Sequence, residues 1–441
     1  LEDILKVGRF QFLFMGSFTF LVTMQYPDFR TINNFRNRLD EVIKETFASI
    51  FDYLIERGYT KLENYYIDGT KLEANANKHS WVWSKSVYKN KIKVKAKIEA
   101  IVSEIERVNS EDDEKVKKKL KKLDKQLQIE KGRLESYLLK EKYLGNRNSF
   151  SKTDTDATFM RVKDDRVLPA YNILIGTENQ FILNYSLHQK SSETDHFIAH
   201  MTNMRKLPNA ATGDSAFGSE ENYKYLKENK IKNFLKYNSY NMESKRTFKK
   251  KIFRKENFVY DSETDTYNCP AKRKLIFERF RLDENANGFL SSSRVYKSID
   301  CSSCSFSSEC KKGDGSRSIQ VNIRYERFKA QARANLNSEE GFKQRKRRGV
   351  EVESVFGNIK HNYHFRRFSV RGLRKVEIEF GLIAIAHNIR KICQILALFS
   401  NIFYSFNRNY SYKINFRKIL TIKRSCLKFY FLDSPFFNYF S

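Results

Sequence analysis

The sequence predicts an α/β fold, a mixed sheet with flanking helices, interrupted by two insertions. Three observations carry that reading. Strand-like segments run into an acid followed by turn residues at two places, Tyr65-Tyr66-Ile67-Asp68-Gly69 and Ala210-Ala211-Thr212-Gly213-Asp214, and helical segments alternate with them. Residues 88–144 carry apolar side chains at helical spacing on both sides of a polar break. Residues 239–320 hold four of the six cysteines.

Composition narrows the function. Lys and Arg number 82 against 52 Asp and Glu, a formal charge of +30, which calls for a polyanionic partner, nucleic acid being the commonest. Aromatic residues at 14% exclude a disordered basic chain. Six cysteines in 441 residues do not make a secreted disulfide framework. The apolar stretch 12–24 is too short to span a bilayer and lacks the flanks of a signal peptide.

Taken in order, residues 1–60 read as helical. Asp28 or Thr31 can cap a helix that continues through Leu39, Val42 and Ile43. It is either a packing helix or, through Arg30, Arg36 and Arg38, part of a DNA-contacting module. The strand at 65–67 then carries Asp68 into an expected turn at Gly69. A carboxylate at the end of a buried strand is unfavourable unless compensated, and a bound cation is the usual compensation. The polar segment after it, with Asn75, Asn77, Lys78 and His79, suits a phosphate backbone or an ordinary surface loop. Val94, Ile98, Ile101, Ile105 and Val108, then Val116, Leu120, Leu123, Leu127 and Leu134, form the seam of an antiparallel coiled-coil hairpin inserted into another domain. Lys117, Lys118, Lys119, Lys121 and Lys122 read as its solvated face.

Residues 151–159 read as a polar loop. Residues 168–176 and 181–187 read as adjacent antiparallel strands, with a helix expected over 193–205. The second acid, Asp214, stands at a strand end before a helix over 223–230 and a short strand over 233–237. In the second insertion Cys269, Cys301, Cys304 and Cys310 can make a tetrahedral zinc site, a reduced cluster or a redox pair. Cys393 and Cys426 read as isolated. Further on, Val352, Val355, Phe356 and Ile359 make the buried stripe of a helix. Glu353 and Lys360 share one flank of that stripe, Glu351 and Asn358 the other. A basic loop over 364–375 and an apolar helix to about residue 399 follow, and 400–441 show no clear order.

Three stretches in this order resemble the DDE transposases of bacterial insertion sequences. They are Tyr66-Ile67-Asp68-Gly69-Thr70-Lys71, Gly213-Asp214-Ser215-Ala216-Phe217-Gly218-Ser219 and Glu353-Ser354-Val355-Phe356-Gly357-Asn358-Ile359-Lys360. Ser151-Lys152-Thr153-Asp154-Thr155-Asp156-Ala157-Thr158, Arg371-Gly372 and Asn388-Ile389-Arg390-Lys391 add to the likeness, which spans 27–392. The resemblance implies a ribonuclease-H-like core over 61–87, 145–238 and 321–398. It leaves 1–60 as an N-terminal helical, DNA-binding part, 88–144 and 239–320 as insertions, and 399–441 as an extension. It implies Asp68, Asp214 and Glu353 as ligands of two Mg²⁺ (or Mn²⁺) ions. The family's helix places an Arg four residues before its Glu and a Lys seven after. Lys360 selects Glu353, Arg347 selects Glu351, and the flank shared with Lys360 favours Glu353. Arg347, Arg348, Lys360, Arg366, Arg367 and Arg371 are the expected DNA contacts. The implied activity is metal-dependent cleavage at element ends and strand transfer by in-line phosphoryl transfer. The implied partners are double-stranded DNA, as terminal inverted repeats and target, and a second copy of the chain. The implied place is the bacterial cytoplasm, at the nucleoid. A start at Leu1 raises the expectation that an end-recognition segment precedes it. The rival readings are a decayed or repurposed copy that only binds DNA, and a nuclease that cuts without joining.

Overall fold

A computed structural model describes residues 42–108, 114–162, 165–311 and 315–407, together with 30, 34, 36, 38, 39 and 313. The N-terminal stretch before residue 30, the extension beyond 407 and Cys426 lie outside the described residues.

The organising element is a six-stranded mixed sheet. It is built from β1 (Tyr65–Glu73), β4 (Thr158–Arg161), β5 (Val167–Glu178), β6 (Phe181–His188), β7 (Ala210–Gly213) and β8 (Lys232–Leu235), while β2 (Trp81–Trp83) pairs separately with β3 (Ser149–Ser151). Residues 168–175 are apolar apart from Asn172, and β5 is buried on both faces from Leu168 to Glu178. β1 lies antiparallel to β5, from Tyr66 opposite Thr177 to Glu73 opposite Ala170. On its other edge β1 runs parallel to β7, but only at Tyr65–Ala211 and Tyr66–Thr212. β7 continues parallel to β8, and β4 and β6 share the far edge of β5. Beyond Tyr66, β1 therefore loses its β7 neighbour.

The expected turn at Gly69 is not present: β1 runs straight through Asp68 and Gly69 to Glu73. The reading of Asp-Gly as a turn fails because eight consecutive pairings with β5 hold this segment extended. Asp68 is thus a mid-strand residue at an edge that has just become open.

The alternation of side chains along the strands divides the core into two layers. Ile173, Ile175 and Leu72 pack with Val355, Phe356, Ile359, Phe368, Val376 and Phe380. Tyr65, Ile67 and Leu174 pack on the other face with Phe197, Phe217, Tyr223 and Leu226. Helix α1 (Ile43–Glu56) buries Ile43, Phe47, Phe51 and Leu54. Helices α2 (Ser84–Val108) and α3 (Glu114–Leu144) follow one another and pack together. The base of the pair is seated by Val82, Val87, Leu144 and Phe150, and Lys117, Lys118, Lys119, Lys121 and Lys122 are exposed along it. Residues 151–159 are more ordered than a loop, since β3 and β4 enter this stretch and Asp154 is buried against the Tyr171 hydroxyl at 3.0 Å. The helix expected over 193–205 is shorter, a 3-10 turn at Thr194–His196 and then Phe197–Thr202. Helix α4 (Glu220–Glu228) starts earlier than expected because Ser219 caps it, accepting from the Asn222 N–H at 3.2 Å.

Residues 259–321 form a second, five-stranded antiparallel sheet. Its strands are β9 (Val259–Asp261), β10 (Thr266–Asn268), β11 (Lys274–Glu284), β12 (Leu290–Ser298) and β13 (Ser318–Val321). It has its own small core of Phe258, Leu275, Tyr296, Ile319 and Val321. Helices α5 (Ile323–Asn337) and α6 (Glu339–Arg348) return the chain to the main sheet. The helix then widens into π-helical turns at Gly349–Glu353 and Asn358–Asn362. Its stripe of Val352, Val355, Phe356 and Ile359 is buried as expected. Helix α7 (Leu373–Asn407) closes the described chain and packs against β6 and α1.

Candidate active site

Where β1 and β7 part, acids from three separate parts of the chain come together. Asp68 stands opposite Ile175 in the ladder and so faces the layer of residues 349–362. Burial pushes its carboxyl above the usual range; the Arg348 guanidinium opposes that shift and Asp214 adds to it. Asp214 follows β7 and caps the 3-10 turn Ser215–Phe217, its Oδ1 accepting from the Ala216 N–H at 2.9 Å.

The third member, Glu193, was not expected. It precedes the turn Thr194–His196, which is fastened to the Asp214 loop by the Thr194 hydroxyl on the Ala216 carbonyl. The Asn222 amide also donates to the Thr194 carbonyl at 3.2 Å. The reason for Gly69 now appears: a Cβ at that position would lie 2.5 Å from Glu193 Cδ. Burial, then the charges of Asp214 and Asp68, push the Glu193 carboxyl up to about 7, against the pull of Lys71 and Arg348. Lys71 Nζ stands 3.9 Å away. One oxygen each from Asp68, Glu193 and Asp214 lie within 4.8 Å of one another. Three carboxylates so close repel unless a positive charge joins them, and an all-oxygen donor set of this kind fits a hard divalent cation such as Mg²⁺.

A positive side chain from α6 already leans on this cluster. Arg348 Nη2 is 3.1 Å from Asp68 Oδ1, and Nη1 is 3.4 Å from Glu353 Oε1. Its Nε, buried, has no hydrogen-bond partner. Glu353 itself is 63% exposed, while Glu351 is 2% exposed and accepts from the Gln180 N–H at 2.7 Å and from Arg347 Nε at 3.0 Å. The two glutamates are therefore separated by the helix: Glu353 is joined through Arg348 to Asp68, and Glu351 is anchored to the β5–β6 turn. Lys236 also lies in the field of Asp214 and Glu353, with burial and the nearby Arg348 and Arg345 lowering its pKa.

The other expected basic residues distribute unevenly. Lys360 donates to the Thr70 hydroxyl, two residues along β1 from Asp68. Arg366 donates to the Lys360 carbonyl at 3.1 Å, Arg367 to the Ala74 and Ala76 carbonyls at 3.2 and 3.3 Å, and Arg371 to the Asn75 carbonyl at 2.7 Å. The Arg367 and Arg371 bonds fasten the basic loop along the outgoing end of β1. Arg347 stands elsewhere, between Glu351 and Asn179. The cysteines Cys269, Cys301, Cys304 and Cys310 gather in the second sheet.

Glu193 was missed because nothing local marks it. It stands after Ser191 and Ser192 at the start of the helix expected over 193–205, where an acid reads as an ordinary first-turn residue. The one usable hint was Gly69, a glycine inside a strand, which signals close approach of another group.

Residues 268–393 match the family described as Transposase DDE domain. The matched stretch contains Glu353, Lys360 and the four clustered cysteines and does not reach Asp68, Glu193 or Asp214. No curated protein and no solved structure matches the chain.

Proposed function

We propose that this chain, which carries a transposase DDE domain over residues 268–393, cuts DNA at the ends of a mobile element and joins those ends to a target. Asp68, Asp214 and Glu353 are the catalytic acids in this reading. The observation that carries it is the convergence of the Asp68, Glu193 and Asp214 carboxylates within 4.8 Å, at the point where β1 and β7 part. The sheet supports a ribonuclease-H-like core: β1 lies at its centre, antiparallel β5 and β6 on one side and parallel β7 and β8 on the other.

Asp68, Asp214 and Glu353, with Glu193 beside them, would hold Mg²⁺ or Mn²⁺. Bound there, such ions supply the charge that activates an attacking oxygen and stabilises the leaving oxygen at a phosphodiester. The chain's own residues do the rest. Arg348 neutralises Asp68 and Glu353 and keeps the acids from repelling one another. Lys360 holds its ammonium beside Thr70, next to the acids, where it can bind the phosphate that is cut. Arg366, Arg367 and Arg371 line the outgoing strand and extend the positive track for a DNA backbone. A net charge of +30 makes binding fall steeply with salt. The partners are double-stranded DNA, as terminal inverted repeats and target, and a second copy of the chain in the DNA complex. The setting is the bacterial cytoplasm, at the nucleoid. Among the described residues no helix is long and apolar enough to cross a membrane.

The test is incubation of the chain with labelled DNA carrying the sequences that flank its gene, plus a target plasmid, in Mg²⁺ or in EDTA. Cleaved and joined products in Mg²⁺ alone are expected. Cleavage without joining would favour a nuclease. Salt-sensitive DNA binding with no cleavage in any divalent metal would overturn the reading in favour of a DNA-binding remnant.

A further inference from the structure

We infer that Cys269, Cys301, Cys304 and Cys310 bind a zinc ion that pins the far end of the second sheet. All four are free thiols, and all four line one cavity together with Arg273, Lys311 and Arg317. They come from three places in the chain: just after β10, the turn after β12, and the one-turn helix Ser307–Cys310 before β13. Cys301 and Cys304 flank a tight turn in which the Cys304 N–H donates to the Cys301 carbonyl at 3.4 Å. This is the Cys-x-x-Cys spacing that presents two sulfurs to one tetrahedral ion.

The surroundings are arranged for thiolates. The Arg273 N–H donates to Cys269 Sγ at 3.3 Å, and the Arg317 N–H donates to Cys301 Sγ at 3.4 Å. Such N–H to sulfur bonds stabilise the deprotonated ligand and fix its direction. A zinc ion with four thiolates carries a net double negative charge. Arg273, Lys311 and Arg317 stand round the same cavity to offset it. Among the described residues only the acidic trio brings three ligand atoms within 4.8 Å of one another. No three of the four sulfurs lie within 4.8 Å of one another, so holding one ion takes side-chain rotation within the cavity.

The fold gives the ion something to do. The second sheet has only a handful of buried apolar residues, and a core that small gains from a metal staple. The opposite end of that sheet rests on the acidic body. The Asn285 and Asn287 amides at the β11–β12 hairpin reach the Glu221 carboxylate at 2.6 Å and the Asp195 carbonyl at 3.0 Å. Ser291 reaches the Glu220 carboxylate at 2.7 Å. Asp195 is two residues from Glu193. A staple at the cysteines thus stiffens a sheet whose other end supports the turn beside the acids. The inference does not depend on the proposed DNA chemistry.

The experiment is total-metal analysis of the full chain, purified under reducing conditions without added metal, alongside Cys301→Ser/Cys304→Ser and Asp68→Asn. About one zinc per chain is expected, lost in the double cysteine variant and kept in Asp68→Asn. Replacing zinc by cobalt(II) should give thiolate-to-cobalt charge transfer and the visible bands of a tetrahedral site. This second measurement uses the unsubstituted chain, so it decides the matter even if the double variant fails to fold. Bound iron in place of zinc, zinc retained without the two cysteines, or a cobalt chain lacking thiolate charge transfer would each overturn the inference.

Discussion

Glu351 and Glu353 lie two residues apart, and the structure assigns them opposite sensitivities. Glu351 is buried and accepts from the Gln180 N–H and from Arg347 Nε. Replacing it by Ala leaves the Gln180 N–H without its acceptor, at about 1–3 kcal/mol. The ion pair adds less, because Arg347 is half exposed and water screens it. Together the loss should be about 1–4 kcal/mol. Glu353, mostly exposed and held by one long contact to Arg348, should leave stability unchanged on the same replacement. Urea unfolding followed by circular dichroism reads the first effect, and DNA cleavage at a temperature where all variants are folded reads the second. Glu351→Ala should unfold at lower urea with an unchanged slope and still cleave when folded. Glu353→Ala should unfold like the unsubstituted chain and not cleave. Equal midpoints for the two variants would refute the stability reasoning. A folded, inactive Glu351→Ala beside an active Glu353→Ala would hand the catalytic role to Glu351.

Three further outcomes are expected. Glu193→Gln should raise the Mg²⁺ concentration for half-maximal cleavage about tenfold, one ligand's worth of affinity; an unchanged Mg²⁺ dependence would remove Glu193 from the cation site. Gly176→Ala should destabilise the protein by about 3 kcal/mol, since the new Cβ would fall 1.6 Å from Tyr65 Cζ in a fully buried ring; a midpoint within error of the unsubstituted chain would contradict that packing. His200 is fully buried between the Tyr65 and Ser186 hydroxyls, at 2.6 and 2.7 Å, and burial pushes its pKa down to about 3. Below about pH 6.5 the unfolded chain binds a proton at this residue that the folded chain refuses, so stability falls with pH by about 1.4 kcal/mol per unit until the folded pKa is reached. In His200→Gln that slope should lose about one proton, read from urea midpoints between about pH 6 and pH 4; an identical slope would show that His200 titrates normally.

Much of the main sheet and the helix pair could be read in the chain because their signals are local. β5 and β6 announce themselves as apolar, β-branched runs, and α2 and α3 as a four-and-three repeat. Asp214 at a strand end was readable for the same reason. Asp68 was readable as an acid, but its setting was not: Asp-Gly suggests a turn, and only the ladder with β5 makes it mid-strand. Glu193 depends on meeting Asp68, more than a hundred residues before it, and Asp214, on a separate segment, which periodicity cannot encode. The two wide turns round residues 349–362 were equally hidden, because a π turn adds a residue without disturbing the apolar stripe. The five-stranded sheet over residues 259–321 went unread, since β11 is exposed along most of its length and lacks a clean alternation. The arginines of the basic loop were legible as charge. Their bonds to the carbonyls of residues 74–76 were not, because a backbone acceptor leaves no mark in the sequence.

The central claim is that Asp68 belongs to a metal-dependent DNA-cutting site and not to a structural cluster. The most direct measurement compares the chain with Asp68→Asn for cleavage of labelled DNA carrying the gene's flanking sequences in Mg²⁺, with binding of the same DNA measured alongside. Retained binding with cleavage lost in Asp68→Asn is the predicted result. Cleavage by Asp68→Asn at the rate of the unsubstituted chain would contradict it.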